Sequence, residues 1–135
     1  MTKKYLIISC IFFLNACSSQ PNESDLNYCA NIEPSLNSAS NNFWSCINSN
    51  TDRLTDKTTP PNDIATAVIY ACNQEVGEMS VLLVEKTNCS QSVKFGKSLA
   101  YIRENTPLNK SNATKIMSEK ARPPIINRVL ENRAK

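Results

Sequence analysis

Histidine is absent from this 135-residue chain, glycine occurs twice, and the longest predominantly apolar run is the ten residues Tyr5–Leu14. Each lack removes a class of explanation. Without histidine the chain has neither the commonest general base near neutral pH nor the commonest metal ligand. Two glycines cannot build a phosphate-cradling loop or a nucleophile elbow, and they argue against a turn-rich β-sandwich. A ten-residue apolar run is about half of the roughly 20 residues that a membrane-spanning helix needs. The six cysteines include no C-x-x-C pair, the spacing that redox and zinc sites use. We therefore expect no catalytic residue, no cofactor and no bound metal.

What is present begins with an address. Lys3 and Lys4 precede the apolar run, and Ser18, Ser19, Gln20, Pro21 and Asn22 form a polar, turn-prone stretch after it. This is the three-part layout of a secretory signal. Leu14-Asn15-Ala16-Cys17 resembles the lipobox of the bacterial membrane lipoproteins: an aliphatic residue, a tolerant position, a small residue, then cysteine. The resemblance implies a diacylglyceryl group on the Cys17 sulfur, removal of signal residues 1–16 and acylation of the new amine. Ile7-Ile8-Ser9-Cys10 fits the same pattern, but its use would shorten the apolar run and leave Ile11–Leu14 on the mature chain. Cys17 is preferred to it, and to a structural thiol behind an ordinary cleavage site. Each buried methylene contributes about 0.8 kcal/mol, and two or more acyl chains give stable anchoring. Ser18 follows the cysteine where an aspartate would favour retention at the inner membrane, so the resemblance implies an outer-membrane anchor facing the periplasm. The membrane is thus the first expected partner, and nucleic acid is not expected for an exported chain.

Residues 17–34 are rich in serine, asparagine and acidic groups and read as a lipidated, flexible tether that becomes structured near Cys29. The domain is placed at 35–135. Leu36, Phe43, Ile47 and Leu54, with Ala39 and Cys46 beside them, recur at helical spacing over 36–54. Thr59-Pro60-Pro61-Asn62-Asp63 reads as a turn and helix start, with Thr59 as cap, proline in the first position and Asp63 in the first turn. Ile64, Val68, Cys72, Val76, Met79 and Leu83 continue a second helix to about Lys86, with Gly77 as a weak point and a break at Asn88 and Ser90. A third helix is expected over 91–105 on Val93, Leu99, Ala100 and Ile102. Over 111–134, Pro123 and Pro124 predict two short helices. Nothing alternates as a strand would. The expected fold is all-α, a small disulfide-stapled domain built on an antiparallel helical hairpin.

Four cysteines remain beyond Cys17 in the mature chain, and an exported protein meets an oxidising compartment, so two disulfides are expected among Cys29, Cys46, Cys72 and Cys89. In an antiparallel hairpin, facing residues have a constant sum of residue numbers. Cys29 with Cys89 and Cys46 with Cys72 share one sum, centred on Thr59-Pro60, where the turn was placed independently. Nested pairing is favoured over sequential and crossed pairing, which both stay open. One objection is geometric: seventeen residues at about 100° each set the two cysteines of one continuous helix about 100° apart. Bends at Pro34 or Gly77 would relieve it. With Cys17 acylated and the others bridged, no thiol is left for nucleophilic chemistry.

Charge is split. Residues 18–89 carry three basic and nine acidic side chains, and residues 90–135 carry ten basic and three acidic. A basic C-terminal third suits an anionic lipid, cell-wall polymer or acidic protein. The preferred reading is blander: the two halves face each other, or the lysines coat solvent-facing helices. Glu75 and Glu78 lie one helical turn apart, as a glycosidase pair might, but read better as a solvated face. Trp44 beside Phe43 reads as core. The Phe43–Cys46 segment FWSC, the later AVIYAC ending at Cys72, and the short Arg128–Arg133 terminus resemble a pattern in small exported bacterial proteins of no known activity, which implies only a helical fold. The resulting expectation is a non-enzymatic, lipid-anchored envelope module that binds a protein or cell-wall partner. The alternative is an immunity or inhibitor lipoprotein directed against an envelope-acting toxin or hydrolase.

Overall fold

The computed structural model describes residues 20–135, so the expected signal segment 1–16 and Cys17 lie outside the described residues. Among the described residues there are six helices and no strand: α1 (Glu23–Ala30), α2 (Ile32–Leu54), α3 (Pro61–Ala71), α4 (Asn73–Phe95), α5 (Leu99–Asn105) and α6 (Lys110–Arg133). The hairpin is α2 followed by α3 and α4, and α6 packs across all three.

Both disulfides are nested. Cys29 pairs with Cys89 and Cys46 with Cys72, at Cα–Cα separations of 5.5 and 5.9 Å. Breaks answer the angular objection, although not at Pro34 or Gly77: one separates Cys29 from Cys46, and the other falls at Cys72 itself. Asn31 divides α1 from α2, and Cys72 itself, at φ −103° and ψ 26°, divides α3 from α4. Each break re-aims the following helix, so both sulfurs of an arm reach the opposite one.

The segment read as a flexible tether is helical from Glu23 onward. Asn22 accepts a hydrogen bond from the Asp25 N–H at 2.8 Å, and Asp25 accepts one from the Asn22 N–H at 3.4 Å. This reciprocal cap offsets the cost of starting a short helix, a signal that serine- and asparagine-rich composition conceals. No residue of α1 is buried, so α1 depends on its cap and on the Cys29–Cys89 bridge. The start of α3 also shifts by one residue. Pro60 occupies the cap position and Pro61 the first helical position. Thr59 instead donates its hydroxyl to Asp56 at 2.5 Å and its N–H at 2.6 Å, closing the turn rather than capping the helix.

Helix α4 runs through Asn88 and Ser90 and stops at Gly96, whose φ of 60° is left-handed. The Lys97 N–H then reaches the Ser92 carbonyl at 3.1 Å, the glycine-terminated ending that satisfies the last carbonyls. Residues 91–95 therefore belong to α4, and the expected third helix shrinks to α5. Helix α6 is continuous through Pro123 and Pro124. Both prolines are exposed, so the carbonyls they leave unpaired can meet water. Ala113, Met117, Ala121, Ile125 and Val129 form one buried stripe at four-residue spacing. Packing along that stripe holds the helix across the local penalty.

The main core joins Phe43 and Ile47 of α2, Ile64, Ala65 and Val68 of α3, Cys72, Val76 of α4, and Met117, Ala121, Ile125 and Val129 of α6. A smaller cluster, Ile32, Cys89 and Leu99, lies at the other end of the hairpin, with Cys29 and Leu82 against it. Thr51 and Ser80, fully buried within helices, satisfy their hydroxyls on the carbonyls of Ile47 and Val76 four residues back.

Candidate functional site

Cys17, the predicted attachment site, lies outside the described residues. Two regions within them place chemistry-bearing side chains together.

The first is an open groove of about 610 Å³ between α2 and α4, lined by Asn42, Ser45, Cys46, Asn50, Glu75 and Glu78 among others. Helical spacing puts Asn42, Ser45 and Ser49 on the α2 flank of the buried Phe43–Ile47 stripe, and Glu75 and Glu78 on the first turns of α4. The Asn50 amide donates to the Cys46 carbonyl at 3.1 Å, and its nitrogen lies 3.4 and 3.5 Å from the two sulfurs of the Cys46–Cys72 bridge. Glu75 brings a carboxylate oxygen within 4.8 Å of those sulfurs. Bonded to one another, the sulfurs are not thiolates and offer neither a nucleophile nor a strong metal donor. Glu78 accepts a hydrogen bond from Gln74 at 3.0 Å and is exposed. The two glutamates share a wet, polar wall where hydrogen bonding to a polar ligand is the available chemistry. Trp44, read as core from its neighbours, is 39% exposed; Phe43 takes the core position, and the two rings meet edge to face at 4.8 Å.

The second region is the corner where α1 meets the end of α4 and the start of α5. The Leu99 N–H donates to Asp25 at 3.2 Å, joining α5 to α1. Glu85 on α4 accepts from the Arg103 Nε, 3.2 Å from each carboxylate oxygen. Burial acts to raise the Glu85 carboxyl, but the hydrogen bonds and charge of Arg103 outweigh it and hold the group below the usual glutamate range. Burial, reinforced by the Glu85 charge, pushes the Tyr28 phenol upward. The Arg103 guanidinium sits 5.4 Å from the centre of the Tyr28 ring. This cluster left no mark on the sequence, because Glu85 and Arg103 lie 18 residues apart on different helices.

The split charge is partly reunited by α6. Arg128 grips Asp52 through two hydrogen bonds of 2.7 and 2.6 Å, and Asn132 adds a third at 2.9 Å. Those hydrogen bonds, led by Arg128, lower the Asp52 carboxyl to about 2. Arg133 donates to the carbonyls of Asp56 and Thr59 in the hairpin turn, and Arg122 to the Asn62 carbonyl and the Thr66 hydroxyl. Asp56 is held well below the ordinary range by the Thr59 hydroxyl and by the N–H groups of Thr59 and Thr58. The facing-halves reading therefore accounts for the arginines of α6, while Lys110, Lys115 and Lys120 remain exposed.

No helix among the described residues is long and apolar enough to cross a membrane. No protein-family model, no curated protein and no solved structure matches the chain.

Proposed function

We propose that this chain is a lipid-anchored envelope protein of the outer membrane, facing the periplasm, which acts as a non-enzymatic binding or structural module. The observation that carries the reading is Leu14-Asn15-Ala16-Cys17 directly after a charged, then apolar, leader. The two disulfides support it, since such bridges persist in oxidising compartments. The groove beside Cys46–Cys72 supports the binding role: its lining of asparagine, serine, glutamine and glutamate side chains suits a protein loop or cell-wall glycan. The inhibitor alternative drew on the charge split, and the arginines that α6 already engages on the hairpin surface weaken that motive. The test is mass spectrometry of the N-terminal peptide of protein purified from membranes. The expected peptide begins at Cys17 and carries a diacylglyceryl thioether and an amide-linked acyl chain. An unmodified Cys17 thiol, or a peptide beginning at Met1, refutes the anchor.

A further inference from the structure

We propose that the corner formed by α1, the end of α4 and the start of α5 rests on the phospholipid surface, so that the domain is docked on its membrane rather than hanging free. The inference depends on the lipid-anchor reading of Cys17 and says which face of the domain the anchor brings to the bilayer.

Reach is the first argument. Asn22 is already bound into the α1 cap, and the five peptide steps from Cys17 to Asn22 can span at most about 17 Å. A lipid on Cys17 therefore holds the first turn of α1 within that distance of the headgroups. The Asp25–Leu99 hydrogen bond and the Cys29–Cys89 bridge fix the α4–α5 corner beside it.

Surface chemistry is the second argument. This corner exposes Leu26 at 51%, Val93 at 64%, Phe95 at 58% and Tyr101 at 45%. Tyr70, Ile116 and Leu130 are exposed elsewhere, so what sets these four apart is that they gather at the corner from which the tether leaves. Lys94 lies 5.3 Å from the centre of the Phe95 ring and Lys97 lies 5.4 Å from that of Tyr101. Aromatic rings paired with long cationic stems suit the headgroup layer, where rings enter the acyl boundary and ammonium groups stay with phosphate. Glu23, Asp25 and Glu104 stand close by in the sequence and offset Lys94 and Lys97, so the corner has no basic excess. Apolar contact supplies the attraction, and the docking resists added salt.

The groove beside Cys46–Cys72 lies elsewhere on the hairpin. Trp44, the sole tryptophan, is twelve residues along α2 from Ile32, about 18 Å of helix. It serves as an internal reference. The lipidated protein is reconstituted into phosphatidylethanolamine–phosphatidylglycerol vesicles containing a lipid brominated on its acyl chain, which quenches tryptophan on contact. In a Trp44→Phe/Phe95→Trp variant, the only tryptophan sits at the corner. We expect quenching at least twofold stronger than for Trp44 in the unaltered protein, little changed by 0.5 M salt (roughly a 4 Å screening length). Adding Leu26→Ser and Val93→Ser should reduce it. All of these positions are exposed, and far-UV circular dichroism confirms that each variant keeps its helices. Equal quenching at both tryptophan positions, with Cys17 acylated by mass, overturns the docking and leaves the anchor intact. An unacylated Cys17 overturns both.

Discussion

The two ends of this hairpin are held by different physics. At the end built from α3, α6 and the neighbouring halves of α2 and α4, eleven buried residues form one apolar cluster, and the Cys46–Cys72 bridge crosses structure that packing already holds. At the other end Ile32, Cys89 and Leu99 form the cluster, with Cys29 of α1 half-buried against it, and no residue of α1 is fully buried. There the order rests on a disulfide, a capping box, the Asp25–Leu99 hydrogen bond and the Glu85–Arg103 pair. The comparison teaches that a staple adds stability at one end and supplies the attachment itself at the other. It also places the less densely packed end beside the N-terminal segment on which the lipid anchor is proposed.

The largest expected effect tests the packed end. Phe43→Ala removes a ring with no exposed surface from the main cluster and should lower unfolding free energy by about 3–5 kcal/mol, read by urea denaturation. A loss near 1 kcal/mol would mean that the core is not shared as described.

The bridges come next, and they separate the two ends directly. Loop closure over separations of 60 and 26 residues gives upper values of about 4 and about 3.5 kcal/mol. Replacing Cys46 and Cys72 by serine should appear as a global loss approaching the second figure. Replacing Cys29 and Cys89 should instead free α1 locally, so that amides of residues 23–30 exchange at nearly unfolded rates while the rest stays protected. Equal global losses from both pairs would break the comparison.

Asp25→Ala removes half of the α1 cap and the acceptor of the Leu99 N–H. About 1 kcal/mol should be lost, and only at the weaker end, visible as faster exchange in α1 and at the start of α5.

The smallest effect concerns pH. Asp52 has its folded-state value depressed from 3.8 to about 2 by Arg128 and Asn132. Its contribution is therefore complete above about pH 4 and is lost as pH falls toward 2. The pair is exposed, so the change should stay below about 1 kcal/mol. Asp52→Asn should flatten that part of the stability–pH curve, and 0.5 M salt should shrink it in the native protein.

Apolar spacing was enough to read the hairpin, and the common residue-number sum favoured the two bridges that the structure shows, because a tight antiparallel turn forces facing positions to add to one value. The breaks were misplaced. Cys72 has no propensity to interrupt a helix, and it does so where its bridge to α2 and the main core hold it. Pro123 and Pro124 were expected to divide α6, yet Ala121 and Ile125 are buried on either side of them and keep its stripe continuous. The α1 helix was hidden because its stabilising cap involves only Asn22 and Asp25, residues that composition marks as spacer. In the groove, residue type and spacing mark Cys46, Glu75 and Glu78, but nothing in its neighbourhood marks Asn50 beside the sulfurs.

The sequence by itself determined the all-α class and the turn near Thr59-Pro60 and favoured the nested disulfides, because each follows from local periodicity or from counting along a hairpin; the structure fixed the pairing. Only the tertiary structure decided where helices break, which rings face water and which charges meet. Those outcomes depend on pairs such as Asp52 with Arg128 and Glu85 with Arg103, joined by packing between segments that no local pattern connects.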